Sequence, residues 1–355
     1  QLPVNEHNRD VPVTLRRLLS HTAGTTVPGF PGYPVGSAVP SPAAVLSGVA
    51  PANTPTVESY AVPGSVSQYS GGGSTIVQQI VIDVTGRDYA ALMHDLVLRP
   101  FGMQDSAFDQ PIGASRAGRA AIGHHADGTP VHGGWHVYPE LQAAGLWTTA
   151  ADLARWVLEV QRILAGATGG PISPDTARLM IAEVEPGPFG LGPEMAGVGK
   201  SRRFGHGGSN AGYRSQIDAL VDGGSGMVMM TNGDGGTTLC GEFRRSVAAV
   251  HGWGEIDAMH IDVVDVDPEV LESYTGRYRG PFELRMKLEF VDGELFSPAP
   301  YGRRRMFPLG PTTFLDEESG ATLEFECTNG EVSRVAVLVG NSELMAFEPA
   351  REEEK

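Results

Sequence analysis

QYSGGGSTIVQQIVIDVTG, residues 68–86, is the stretch on which the reading of the whole chain turns. A tyrosine and a serine run straight into three glycines. A mostly apolar helical pattern, STIVQQIVIDVTG (74–86), follows and is stopped by Gly86. Two readings of Tyr69 stand side by side: a core tyrosine ahead of a helix start, or a phenol at the mouth of an active site. A phenol is a poor base near neutral pH unless positive charge lowers its pKa or holds the phenolate. The glycines after Ser70 would let a substrate approach the backbone and leave helix N–H groups open at 72–76.

Outward from that stretch the chain changes texture twice. VTLRRLLSH (13–21) predicts a short amphipathic helix ending near Gly24, and 25–71 is a long irregular excursion rich in Pro, Gly and Ser. Helices are predicted at 89–103, broken near Pro100, and at 149–166, with Leu153, Trp156, Val157, Val160 and Leu164 on one face. Another is predicted at 173–184, with a Ser cap and Pro at its first position. Successive strands with Gly-rich turns follow over 202–234, then a helix near 241–251. Beyond the acidic link IDVVDVDPE (261–269) the pattern is all strand. Asp292-Gly293 and Asn329-Gly330 give hairpin signals there, so a small sandwich or barrel is expected.

Length and composition narrow the function. At 355 residues the prior is about two domains, and 41% hydrophobic with 19% charged residues suits a folded protein. A net charge of −16 argues against a nucleic-acid partner, which needs clustered cations. Lysine occurs only at 200, 287 and 355. Cys240 and Cys327 fall in separate segments and make no disulfide framework, and no Cys/His spacing suggests zinc. No apolar run reaches the length of a membrane span, and QLPVNEHNRDVPV at the start has no signal-peptide pattern. No cofactor is expected, and the compartment is left open.

Two further elements bear on chemistry. In RRFGHGGSNAGYRS (202–215), Gly207 and Gly208 inside a strand pattern mark close backbone approach by a ligand. The N–H of Ser209 would then serve as an oxyanion donor, and His206 would donate to a substrate carboxylate or to the tyrosine; a hairpin corner with a surface histidine is the alternative. In LRRLLSHTAG (15–24), Ser20 and His21 are adjacent, but neighbours on a helix diverge by about 100°. A structural role for His21, bonding carbonyls at the helix end, is therefore expected.

LLSHTAG (18–24), YSG (69–71) ahead of IVIDVTG (80–86), LVLRPFGM (96–103), AAGLWTTAADLARW (143–156) and FGHGGSNAGYRS (204–215) together resemble the ordered landmarks of serine β-lactamase-like hydrolases. That family includes class C β-lactamases, DD-peptidases, D-aminopeptidases and related esterases. The resemblance implies an α+β fold, a β-lactamase/transpeptidase-like antiparallel sheet flanked by helices and incomplete at its N-terminus, over 1–258. A linker at 259–269, a small β-barrel at 270–350 introduced by ESYTGRYRG, and an acidic tail at 351–355 would follow. It makes Tyr69 the tyrosine of Tyr-x-Asn, and His206-Gly207-Gly208 the counterpart of Lys-Thr-Gly in its His-x-Gly form. Tyr69, His206 and Ser209 are then the catalytic candidates, with Gly71, Gly207, Gly208 and Tyr213 as substrate-binding candidates. Gly71 stands where the family has Asn, a departure that weighs more against a β-lactamase than against an esterase or peptidase.

A larger departure is the nucleophile. The family uses the Ser of Ser-x-x-Lys, yet the lysines here are preceded at i−3 by Gly197, Leu284 and Glu352. GGSNA (207–211) also fails as a Gly-x-Ser-x-Gly elbow. The expectation is that a segment N-terminal to this chain, or a separate polypeptide, supplies Ser-x-x-Lys. The 355 residues alone would then expose an unpaired sheet edge and an apolar face. Two further possibilities are a non-catalytic scaffold that binds a peptide or peptidoglycan fragment or builds a structural assembly, and an unorthodox hydrolase in which Ser70 or Ser209 attacks. Tyr33, Trp135, Tyr138, Trp147 and Tyr213 would line a cleft or pack loops on the core. The His124, His125, His132, His136 cluster lacks the spacing of a metal site.

Overall fold

The computed structural model describes residues 2–254, 261–280, 284–299, 302–316, 320–328, 330–339 and 342–350. The chain divides into two compact units, Gln1–Asp257 and Ala258–Lys355.

The first unit opens with α1 (Leu15–Leu19), whose N-cap Thr14 accepts the Arg17 N–H. Residues 25–70 then run irregularly apart from β1 (Tyr33–Pro34) and α2 (Pro42–Ser47). Ser41 caps α2, and Gly48 at φ 62° closes it. Helix α3 (Gly71–Thr85) begins three residues earlier than its apolar pattern predicts, because Ser70 caps it. Next come α4 (Tyr89–Met93), a π-helical turn (His94–Leu98), α5 (Ala114–Ala117), β2 (His136–Val137), α6 (Leu141–Ala144) and α7 (Ala150–Leu164). The unit ends with α8 (Pro174–Met180), β3 (Glu194–Ala196), β4 (Arg203–Asn210), β5 (Tyr213–Leu220), β6 (Gly226–Thr231) and α9 (Gly236–His251).

Strands β3-β4-β5-β6 form one antiparallel sheet in that order. Side-chain alternation decides what each face meets. Phe204, Ile217, Ala219 and Val228 turn toward α7, packing with Val157, Val160, Trp156 and Leu153. Met227 and Leu220 turn the other way, onto Ala248 and Val247 of α9 and onto Trp253. Burial of Val157, Val160 and Ile163 stabilises α7 by about 1.5–3 kcal/mol each. Asp152, fully buried in the first turn of α7, accepts the Asp105 N–H at 2.8 Å and the Ser106 hydroxyl at 2.7 Å. It thereby fixes the chain that pairs Ala107 with Trp147. Strand β6 pairs with β5 alone among the described residues.

The second unit carries α10 (Pro268–Ser273), inside and just beyond the stretch read as a linker. Eight strands follow: β7 (Gly276–Arg279), β8 (Arg285–Val291), β9 (Glu294–Ala299), β10 (Gly302–Pro308), β11 (Thr313–Asp316), β12 (Thr322–Thr328), β13 (Glu331–Val339) and β14 (Ser342–Pro349). They close into an antiparallel barrel in the order β10-β11-β12-β13-β14-β7-β8-β9. Asp292 (φ 52°) and Gly293 (φ 89°) make the left-handed turn between β8 and β9 that the Asp-Gly pair predicts; Asn329 and the tail 351–355 lie outside the described residues. Side chains fill the barrel, Tyr274 stacking on Phe325 at 4.1 Å among Tyr278, Leu288, Phe314 and Val335. No described helix is long and apolar enough to cross a membrane.

Candidate active site

Tyr69, 38% exposed, lies just before α3, and the turn after α1 holds it there. Ser20, His21, Thr22 and Ala23 are all buried, and Gly24 takes a left-handed φ of 63° where a Cβ would strike the Ala61 carbonyl at 2.7 Å. The His21 backbone N–H bonds the Leu18 carbonyl at 3.4 Å, but its imidazole is turned to other partners than the helix-end carbonyls its position in the sequence suggests. Its Nδ1 accepts the Ser70 N–H at 3.2 Å, and its own carbonyl accepts the Gln68 N–H at 2.9 Å. The imidazole lies 4.3 Å from the Tyr69 ring and meets Phe189 edge-on at 4.7 Å. Burial, then the nearby His206, pushes the His21 pKa down to about 4, so the ring is neutral at pH 7. Burial also pushes the Tyr69 phenol up.

The three glycines serve packing. A Cβ on Gly72 would lie 2.7 Å from the Thr26 carbonyl and 2.9 Å from Val57, and one on Gly73 would lie 3.0 Å from Thr25. Gly71 is buried against Phe30 and Pro28, and its N–H bonds the Pro28 carbonyl at 3.1 Å. The segment 25–30 therefore covers the start of α3, and Gly71 has no surface for the substrate contact expected of it. Ser70 is a cap: its hydroxyl donates to the Thr26 carbonyl at 2.7 Å and accepts the Gly73 N–H at 2.9 Å. At 1% exposure it is not placed to attack a substrate.

Strand β4 brings the second candidate group to Tyr69. The rings of Tyr69 and His206 are 5.8 Å apart. Nδ1 of His206 lies 2.5 Å from the Gly207 carbonyl, which only accepts, so Nδ1 is the donor in that bond. Strand β3 covers β4 only from Arg203 to Gly205, while His206–Asn210 pairs with β5 alone. Gly207, Gly208 and Ser209 are exposed along that stretch. Packing requires Gly205, whose Cβ would meet the Ile217 carbonyl at 2.2 Å. It does not require Gly207, where a Cβ would meet nothing nearer than Gln216 Oε1 at 3.4 Å. Asn210 closes the stretch by donating to the Ala144 carbonyl at 2.9 Å, tying α6 to the strand end.

Other sequence candidates hold loops. The Tyr213 hydroxyl donates to the carbonyls of Ala121 (2.6 Å) and Gly134 (3.1 Å), which spends the polar end proposed for substrate. Its ring meets Trp147 edge-on, and Trp147 meets Trp135 in the same way. Tyr33 and Tyr138 are core residues; the Tyr138 hydroxyl accepts the Ala211 N–H at 2.8 Å. His124, His125 and His136 bond Asn232, Asp234 and Pro31. Among the described residues no group of three or more His, Cys, Asp or Glu is placed to hold a metal ion. The sequence marks His21 only as a structural residue at a helix end and misses its approach to Tyr69. The residue follows a short helix, far along the chain from Tyr69, and nothing in its neighbours points there.

The family model described as Beta-lactamase matches residues 1–250. The octameric penicillin-binding protein homologue from Pyrococcus abyssi is similar in structure, with a TM-score of 0.57 and 18% identity, over 97% of this chain and 80% of that one. SurE, solved with D-Leu, is similar with a TM-score of 0.55 and 20% identity, over 95% of this chain and 78% of that one. At such identities the likeness is one of fold. No curated protein sequence matches the chain.

Proposed function

Because this chain belongs to the Beta-lactamase family, we propose that it is the larger part of a serine hydrolase that cleaves small amide or ester substrates through an acyl-enzyme. The observation that carries the reading is the approach of Tyr69 to His206 beside the exposed, singly paired Gly207–Ser209 stretch. An extended substrate can lie along that strand edge with its carbonyl oxygen toward the Ser209 N–H. SurE was solved with D-Leu, and a D-amino-acid substrate is one case within this class.

The reading places the nucleophile outside these 355 residues. Strand β6 has one unpaired edge among the described residues, and Leu239, Phe243 and Val250 form an exposed apolar stripe at i, i+4, i+11 on α9. A strand-and-helix segment carrying Ser-x-x-Lys fits both. Its lysine also answers the electrostatic problem of Tyr69. Burial holds the phenol protonated, and a cation beside it brings its pKa toward the working range.

In the reaction, the serine oxygen bonds to the substrate carbonyl carbon and its proton passes to the Tyr69–lysine pair. The Ser209 N–H and the serine's own N–H hold the oxyanion. Collapse breaks the bond to the leaving amine or alcohol, which takes the proton back. Water then repeats the sequence on the acyl-enzyme and releases the acid.

A fluorophosphonate probe on the full-length protein tests this. Covalent labelling at a serine of a Ser-x-x-Lys sequence, lowered strongly by Tyr69→Phe, is the expected result. Failure of the intact protein to label would favour a non-catalytic scaffold.

A further inference from the structure

We infer that His21 is the positioning residue of Tyr69, fixing the direction of the phenol by gripping the chain on both sides of it. The inference rests on the reading of Tyr69 as the acid–base group.

The grip has three parts. The His21 carbonyl accepts the N–H of Gln68, and its Nδ1 accepts the N–H of Ser70, the residues on either side of Tyr69. Between these bonds the imidazole lies against the phenol ring, 4.3 Å between centroids and tilted by 37°. Phe189 meets both rings, at 4.7 Å from His21 and 6.1 Å from Tyr69. Each contact removes a rotation or tilt open to a tyrosine that is otherwise more than a third exposed.

The backbone shows what this arrangement costs. His21 has φ 55°, a left-handed conformation that is strained for a side chain of this type. The turn needs no histidine as a helix cap, since the Ser20 and Thr22 N–H groups already bond Arg16 and Arg17. What histidine brings is a flat ring with an acceptor at Nδ1. Because Nδ1 accepts, the neutral ring carries its proton on Nε2. The ring's low basicity, set by burial and by His206, keeps the Nδ1 lone pair available at neutral pH. His21 is thus suited to hold the phenol, and not to take a proton from it. A misplacement of about 1 Å in a reacting group costs on the order of a hundredfold in rate, so the grip falls on kcat.

Two replacements separate the ring from the acceptor, made in the full-length protein with a chromogenic ester as substrate. His21→Phe keeps a flat ring and loses the acceptor. His21→Asn restores an acceptor and tolerates left-handed φ, so it folds even where the first does not. Expected is a fall in kcat of about 10- to 100-fold for His21→Phe, with partial recovery in His21→Asn and KM within about twofold. In a Tyr69→Phe background neither change lowers kcat further. An equal loss in that background, or a loss carried by KM, overturns the inference. A second readout needs no turnover: the NMR signal of the ¹³C-labelled Tyr69 ring, assigned by its disappearance in Tyr69→Phe. His21→Phe should move that signal, and an unmoved signal overturns the inference. If the wild type hydrolyses nothing, the functional reading fails and this signal still decides the role of His21.

Discussion

The rings of Tyr69 and His206 lie 5.8 Å apart, although one precedes a helix and the other sits mid-strand on β4. Neither belongs to a hydrophobic core cluster. Two polar, part-exposed rings brought together from distant sequence make a juxtaposition that packing alone gives no reason for.

Replacing Tyr69 by Phe keeps the ring stack on His21 and removes only the hydroxyl. No hydrogen bond from that hydroxyl joins the described residues, so unfolding free energy should shift by no more than about 0.5 kcal/mol. Turnover by the full-length protein should fall by roughly 10²–10⁴-fold, the share of a positioned acid–base group. Urea titration and steady-state kinetics on one preparation check both halves. A large stability loss would return Tyr69 to the role of a core residue.

Gly207 gives a test on the strand side. A Cβ there meets only ordinary contact at 3.4 Å, so Gly207→Ala should fold with near-wild-type stability. A methyl on the exposed stretch stands where an extended substrate would lie, and kcat/KM should drop by about tenfold or more. Gly205→Ala should behave in the opposite way, since its Cβ would strike the Ile217 carbonyl at 2.2 Å and the sheet must give. Thermal unfolding and hydrolysis assays separate the two glycines.

Much of this was legible in the sequence. The stripe from Leu153 to Leu164 on α7, the Ser-Pro start of α8 and the Asp292-Gly293 turn are local signals, and the fold follows each of them. What escaped is non-local. Whether Gly71–Gly73 face a ligand or a neighbouring segment depends on where residues 25–30 travel, and that excursion has no periodicity to read. Likewise the sequence leaves Tyr213 open between lining a cleft and packing loops on the core, and the family resemblance alone makes it a substrate-binding candidate. Only the loop carbonyls of Ala121 and Gly134, brought over it by tertiary folding, reveal the clamp. His21 escaped for the same reason, since its partner is made by the fold.

Ser70→Ala tests cap against nucleophile. The hydroxyl satisfies the Gly73 N–H and the Thr26 carbonyl, so its loss should cost about 1–2 kcal/mol and loosen the start of α3. Turnover per folded molecule should stay within a few-fold of wild type. Abolished turnover in a variant that is still folded would restore Ser70 as a candidate nucleophile.

Glu140 sets a pH dependence of stability. It precedes α6 fully buried, and neither carboxylate oxygen has a hydrogen-bond partner in another described residue. Burial pushes its pKa up to about 7. The folded state therefore binds more protons than the unfolded chain between the ordinary carboxylate range and pH 7, so this residue's contribution falls as pH rises through that window. Above pH 7 the penalty is constant, roughly 3 kcal/mol from a shift of this size. His21 works in the opposite sense: its depressed pKa costs stability as pH falls from about 6.5 toward 4. The two slopes offset each other in the overlap, which hides both in a wild-type profile. Glu140→Gln removes one of them. The unfolding free energy of the variant relative to wild type should rise steadily from pH 5 to pH 7 and level off near pH 8. A difference that stays flat across that range would mean that Glu140 meets a compensating group when the protein is folded in solution.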